Sequence, residues 1–547
     1  MRLLHRGHIV WASLLAGFLV APGCGSGGGP GAGFTDPDAG AEGGGGEGGN
    51  CSSPNRTCNG ACIDVTTDPA NCGDCGRTCD SGSPCCGGIC VQATACSFAV
   101  TKVSQFRLYL SGAQWVTVNG AGFIKGMKVF VGDGRAVVRV LDDKTALILT
   151  PPAPAGIVDV RIEAGGQTAT LKNAFQYESA GLGTPWKQRP LRVVRGEDPG
   201  IAVLQDGRVL IAGGTRVPDN ASPTLADGTA NDALTTAEIY TRSTEIVTPV
   251  TGSMSGARWH DSAVTLMNGK VLVVGAACST SPCPDAQAAD LFDPTTNTFV
   301  PSKSKLSIER TYTRAAMMPD GRVLIASANQ PTLEIYDPEA DTFSPVPHTV
   351  VHTFGFMVRL RDGRILFGGG DGGTMPAVTA AEIFDPDTNS ITAAGALQQG
   401  RSMLTAHTLP DGRAIVIGGA SFSAGGIHVP IDSIETFDPK TSQWTTAPYK
   451  LSVGRTWHAS ALVRDGTVLV MGGYTIDAKC DSLVASVDQV DPVSGKSIVF
   501  DALPNPNTEW TAVTLLDGSV LGVGGGACGT ATALPDLDFL PGAPETK

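Results

Sequence analysis

The sequence predicts an all-β protein whose larger part is a ring of seven sheets, and three observations lead there. Glycine supplies 70 of 547 residues while charged residues make up only 17%, a balance that opposes long helices and favours short strands joined by tight turns. A turn-and-strand unit, QDGRVLIAGG in its first copy, recurs seven times beyond residue 200. Ahead of it, from Val100 to Tyr177, short β-branched runs alternate with glycine turns, which is the pattern of a small sandwich.

The first 23 residues read as an export signal: Arg2 and Arg6 form a basic start, Ile9 to Val20 an apolar run, and small residues precede Cys24. The apolar run is short for a membrane span. Ala21-Pro22-Gly23-Cys24 resembles a bacterial lipoprotein box, which implies lipidation of Cys24 and a membrane anchor. Plain secretion, into the periplasm or medium, is the alternative. Cleavage removes two arginines and no acid, taking the net charge from −13 to −15. With a pI near 5.1 the chain is not built to neutralise nucleic-acid phosphates. Residues 24–50 hold thirteen glycines and almost nothing to bury, so they are expected to be a tether.

Ten of the fifteen cysteines fall between Cys51 and Cys96. A stretch this short has little core and needs covalent staples, and in an exported protein disulfides outweigh the zinc reading that Cys72-Gly-Asp-Cys75 also permits. The run from Cys58 to Cys90, with TDPANCGDCG and a later CC pair, resembles the stigma-specific type of cysteine-rich module. Residues 51–96 are assigned to it.

Residues 97–179 are expected to form an immunoglobulin-like β-sandwich. Asn119-Gly120-Ala121-Gly122-Phe123, Gly132, Pro151-Pro152 and the closing Asn173-Ala174-Phe175-Gln176-Tyr177 resemble the IPT/TIG family. It carries no catalytic cluster, and a stalk is its plainest role.

Residues 180–547 contain the repeat. Its turns begin at Asp206, Asn268, Asp320, Asp362, Asp411, Asp465 and Asp517, spaced by 62, 52, 42, 49, 54 and 52 residues. Asp-Gly and Asn-Gly suit two-residue type I′ hairpin turns. A third strand and turn follow, as in AEIFDP at Ala381, with AEIYTR at Ala237 in the first copy and only a degenerate version around Leu537–Leu540 in the seventh. The set resembles kelch repeats of about 50 residues, which implies a seven-bladed kelch-type β-propeller. Trp186 to Pro190 is an orphan outer strand expected to complete the last blade and close the ring. The variable loops after each second strand, longest at Gly213–Thr236 and Gly418–Ser433, mark the binding face. Cys278 and Cys283 share one such loop. Cys480 and Cys528 sit in the loops of neighbouring blades and are expected to pair.

Ten positions before each turn stand Gly196, Arg258, Arg310, His352, Arg401, Arg455 and Asn507. A ring of guanidiniums can receive a carboxylate or other anion. Because every complete repeat also supplies an acid on its third strand (Glu238, Asp290, Glu334, Glu382, Glu435 or Asp488), one structural ion pair in each such blade is the competing reading. Trp259, His260, Tyr312, Phe354, Trp457, His458 and Trp510 follow the arginines and form a candidate rim for a sugar or peptide ligand. His407 is expected to point into a blade.

Galactose oxidase and its copper-radical relatives are built on a seven-bladed kelch domain, and this resemblance implies copper held by two histidines and two tyrosines, one crosslinked to a cysteine. The chain has no Tyr-His pair, and His260 and His458 would meet only across the channel. No S-x-D-x-G-x-x-W sialidase pattern occurs either. The residues therefore favour an exported, surface-anchored binding protein for a carbohydrate or protein ligand, without a cofactor. A carbohydrate-active or copper-radical enzyme using the channel stands as the alternative.

Overall fold

The computed structural model describes residues 55–540 apart from 66–67, 73, 82, 84, 87–88, 91–97, 184–185, 197, 216–232, 277–283, 329, 349, 372–376, 423–427, 476–481 and 527–535. The export signal, Cys24, the tether and the loop cysteines Cys278, Cys283, Cys480 and Cys528 lie outside these residues. Among the described residues there is no α-helix, and none long and apolar enough to cross a membrane.

The cysteine-rich module consists of two short hairpins, Asn55–Cys58 with Ala61–Asp64 and Cys85–Cys86 with Ile89–Cys90. Disulfides join Cys58 to Cys75, Cys72 to Cys85 and Cys79 to Cys90. Cys72, Cys79 and Cys85 form the buried cluster of the module, so sulfur stands where a larger domain would place aliphatic side chains.

The sandwich is a four-stranded sheet packed on a five-stranded one. Alternation decides its core: along Trp115–Ala121 the residues Val116 and Val118 are buried while their neighbours are half-exposed, and Val129, Val131, Ile148, Val160 and Ile162 meet them from other strands. Tyr177 is buried too, and its hydroxyl donates to Pro151 O at 2.7 Å.

Seven four-stranded antiparallel sheets follow. Their innermost strands are Gly200–Val203, Ser262–Thr265, Thr311–Met317, Phe356–Arg359, Thr405–Thr408, Ala459–Leu462 and Thr508–Thr514. The second strands, such as Val209–Ala212 and Val271–Val274, are buried along their whole length because each is covered by blades on both sides. Lys187–Pro190 pairs with Asp536–Leu540, so the chain's first propeller strand becomes the outer strand of the seventh sheet and the ring closes.

The turns differ in type from the sequence expectation. Only the glycine of each pair is left-handed (Gly207 φ 85°, Gly363 φ 96°), and the preceding Asp or Asn is not. Gly207 N donates to Leu204 O and Leu204 N to Arg208 O, which is a type I turn closed by a left-handed glycine; the same two bonds recur in the other six blades. The aspartate serves as acceptor instead: Asp206 Oδ1 takes Arg208 N at 3.0 Å.

The sandwich docks on these short turns rather than standing away as a stalk. Arg135 N donates to Arg361 O and Val138 N to Pro319 O. The Arg135 guanidinium grips Asp387 at 2.8 and 2.9 Å, and Lys128 joins at 2.8 Å. Trp115, Leu147 and Leu149 pack with Met267 and Met317 of blades two and three. A cavity of about 510 Å³ lies between the sandwich loop Ser111–Trp115 and the inner strands, so the sandwich caps the short-turn mouth of the channel.

Candidate functional site at the propeller axis

Among the described residues, five arginines are buried completely: Arg195, Arg258, Arg310, Arg401 and Arg455. Each faces its blade's acid, as in Arg258 to Asp290 at 2.6 Å, Arg401 to Glu435 at 2.6 Å and Arg455 to Asp488 at 3.1 Å. Other donors go to backbone carbonyls and to serine or threonine hydroxyls; Arg401 Nη1 reaches Gly418 O and Ser433 O, and its Nη2 reaches Ser433 Oγ. In blade one the arginine is Arg195, paired with Glu238 at 3.1 Å, and not the Gly196 that the repeat spacing selects. Asn507 fills the place in blade seven, donating to Gly524 O. Blade four has histidine, His352, on Glu382. The guanidiniums thus tie the loop entering a blade to its second and third strands, and their donors point inside the blade.

Two residues beyond the arginine position, and three beyond Arg195, a non-glycine residue in left-handed conformation stands at the entry to each inner strand: Asp198, His260, Tyr312, Phe354, Met403, Trp457 and Glu509, with φ from 32° to 55°. Such backbone costs about 1–3 kcal/mol per residue and persists only where surroundings impose it. Here neighbouring blades impose it. Asp198 N donates to Glu509 O, His260 N to Asp198 O, Glu509 N to Trp457 O, Trp457 N to Met403 O and Met403 N to Phe354 O, all between 2.9 and 3.4 Å.

Four of these side chains meet across the axis. The ring centroids of His260 and Tyr312 are 4.5 Å apart, Tyr312 and Phe354 4.6 Å, Phe354 and Trp457 5.2 Å, and Trp457 and His260 5.7 Å. The circle closes on itself, and Trp259 leans on it from His260 at 4.8 Å. Since the sandwich covers the short-turn mouth, this aromatic plug stands toward the opposite, long-loop face.

Beneath the plug lies a cavity of about 320 Å³ lined by Asp198, Asp261, Arg314, His407, Trp457, His458 and Trp510 among others. Burial acts to raise the Asp198 carboxyl, but His260, whose Nδ1 is 2.8 Å from Asp198 Oδ2, outweighs it and holds the group below the usual range. Asp261 has no such partner, and burial pushes it up to about 7. His407 is pushed down to about 4 by burial, and His458 to about 3 by burial and Arg455. Both imidazoles are therefore neutral hydrogen-bonding groups, His407 to Ser460 at 2.7 Å and His458 to Thr405 at 2.9 Å. Contrary to expectation His407 lines the channel. The blade it was assigned to is filled by aliphatic side chains, and its own strand is the innermost one.

Of the residues singled out from sequence, His260, Tyr312, Phe354 and Trp457 come together in the axial circle, Trp259 touches it, and His458 and Trp510 lie under it. Arg258, Arg310, Arg401 and Arg455 stay within their blades, and His352 belongs to a separate cluster in blade four. Asp198, Met403, Glu509 and Asp261 were missed. The signal was available: the circle lies eight residues before each turn, whereas the arginine ring lies ten before it.

Residues 46–102 match the Stigma-specific STIG1-like protein family and residues 99–177 the IPT/TIG domain. Among curated proteins, galactose oxidases of Gibberella zeae are 23% identical over 296 residues, covering 48% of this chain and 42% of theirs. The likeness thus spans under half of the length of those relatives. A solved fungal alcohol oxidase of the AA5 family, in complex with copper, superposes with a TM-score of 0.51 at 17% identity, covering 67% of this chain and 77% of that one. The likeness is one of fold.

The donor set implied by that resemblance can be tested on the axis. Tyr312 is the one tyrosine in the aromatic circle, and Trp457 precedes His458 where a Tyr-His pair is required. His260 Nδ1 is engaged by Asp198, and His458 Nε2 by Thr405. The cysteines among the described residues all belong to the disulfide module. These residues do not fit a copper site of two histidines, two tyrosines and a Cys–Tyr crosslink.

Proposed function

We propose that the chain is an exported recognition protein that binds a hydroxyl-rich ligand, a carbohydrate, over the axial aromatic plug on the long-loop face. The closed circle of His260, Tyr312, Phe354 and Trp457 carries this reading: apolar ring faces suit the C–H faces of a pyranose, and carboxylates in the same ring of residues, Asp198 and Glu509, suit its hydroxyls. The names of the relatives, galactose oxidase and alcohol oxidase, agree in ligand chemistry. Disulfides in the module support an oxidising compartment. Lipidation of Cys24 would place the propeller at a bacterial membrane surface, and a palmitate label present in the full chain but absent from Cys24→Ser is expected.

The test is a glycan screen followed by titration of the purified chain with the best binder. Trp457→Ala is expected to weaken binding at least tenfold while Arg314→Lys, deeper in the channel, changes it little. Unaltered affinity in Trp457→Ala overturns the site. The similarity to oxidases supports a second reading, catalysis at the same mouth. Galactose-dependent peroxide release by the copper-loaded chain would favour it and displace the non-catalytic reading.

A further inference from the structure

Blade four breaks the arginine–acid pattern in a specific way. Its acid, Glu382, meets two histidines: His352, at the position of the arginines, and His348, four residues earlier in the same incoming loop. His348 Nε2 lies 2.6 Å and His352 Nε2 3.0 Å from the same carboxylate oxygen, Glu382 Oε2. All three side chains are largely buried, at 4, 7 and 17% exposure.

The other nitrogen of each ring fixes the tautomer. His348 Nδ1 is 2.7 Å from Pro331 O, and His352 Nδ1 is 2.8 Å from Gly369 O. A carbonyl oxygen only accepts, so both Nδ1 atoms carry a proton. In the neutral imidazoles both Nε2 atoms are then lone pairs, aimed at a carboxylate oxygen that also has only lone pairs. Three acceptors gathered within 4.8 Å of one another require positive charge between them. A ring Nδ1–H held by a backbone carbonyl is also the outer-shell arrangement that orients a metal-binding histidine. Phe367 stands edge-on to both imidazoles, at 5.5 and 5.6 Å, and fixes their planes.

We propose that His348 Nε2, His352 Nε2 and Glu382 Oε2 bind a divalent cation of the zinc type, with water as the fourth ligand. Two imidazoles and a carboxylate suit zinc, whose bonds of about 2.0–2.2 Å set tetrahedral ligand atoms roughly 3.3 Å apart. The two contacts of 2.6 and 3.0 Å therefore open by roughly 0.7 and 0.3 Å on binding. The cation does in blade four what the guanidinium does in the blades with a buried arginine: it ties the incoming loop to the acid on the third strand. It is a structural clamp, independent of the carbohydrate site.

The experiment measures zinc in the purified full chain after equilibration with zinc and dialysis into metal-free buffer at pH 7.5, together with the thermal midpoint with and without zinc. One equivalent per chain and a zinc-dependent rise in midpoint are expected. Both are expected to vanish in His348→Gln, in Glu382→Gln and in His352→Arg. The last variant restores the residue that Arg258, Arg310, Arg401 and Arg455 represent, so it keeps the blade folded while removing the ligand. Less than a tenth of an equivalent in the unaltered chain, or equal zinc in His352→Arg, overturns the proposal. So does a midpoint indifferent to zinc but raised by acidification, which would identify two protons as the occupants.

Discussion

Replacing Arg401 by methionine separates the two roles open to the arginine ring. The guanidinium donates to Gly418 O at 3.1 Å, Ser433 O at 2.8 Å, Ser433 Oγ at 2.9 Å and Glu435 Oε1 at 2.6 Å, and neither Arg401 nor Glu435 is exposed. Methionine fills similar space without donors. Glu435 then keeps only the amides of Gln398 and Gln399, at 2.7 and 3.1 Å. Removing one partner of a buried ion pair costs about 3–5 kcal/mol, because the other charge stays in a low-dielectric place. Neutralising it with Glu435→Gln in the same chain should recover about 2 kcal/mol, the rest being carbonyls short of a donor at roughly 1–3 kcal/mol each. Guanidinium denaturation followed by tryptophan fluorescence reads both values, provided the slope is unchanged. A loss below about 1 kcal/mol in Arg401→Met, or a double variant no more stable than the single one, refutes the structural role. A variant of unchanged stability that had lost ligand binding would make the ring a receptor instead.

Two further outcomes follow from contacts elsewhere. Arg135, with Lys128, holds Asp387 down to about 2, below its unfolded value near 3.9, so its contribution to sandwich docking is complete above about pH 4 and lost as the pH falls toward 2. Amide exchange at the Asp387 turn should rise over that window, and the acid dependence should disappear in Arg135→Ala; a dependence that survives the substitution contradicts the assignment. Gly275 has φ +86°, and a Cβ there would lie 2.3 Å from Thr313 Cγ2. Gly275→Ala is expected to cost more than about 1 kcal/mol, and an unshifted denaturation midpoint would show that the two blades adjust freely.

Much of the fold was legible because propeller blades repeat local chemistry. Asp-Gly turns, all-apolar second strands and DP turns report on backbone within a few residues, and they placed seven sheets and the strand that closes the ring. The turn type escaped, since Asp-Gly serves both a two-residue turn and a type I turn with a left-handed glycine, and the difference lies in which carbonyl Gly207 N meets. The arginine ring was located to within one residue, Arg195 for Gly196, since one extra residue in the loop before blade one leaves no mark on the hydrophobic pattern. Of the seven left-handed positions around the axis, the four aromatic ones were seen. Trp457 and Tyr312 were noted as aromatics, but Asp198 and Met403 look unremarkable until the common left-handed backbone puts them on one ring.

What the sequence alone determined is the set of local units: a cysteine-stapled module, a sandwich and seven repeats, six of them with an acid on the third strand. Which residues meet across those units was decided by tertiary structure. Closing the ring brings blades two, three, four and six into contact at the axis, joining rings up to 197 residues apart from His260 to Trp457. The docked sandwich leaves only one mouth toward the long loops. His348 reads as an ordinary loop residue, and His352 as one more member of the cationic ring, until Glu382 folds against them, because a cluster of lone pairs exists only in three dimensions.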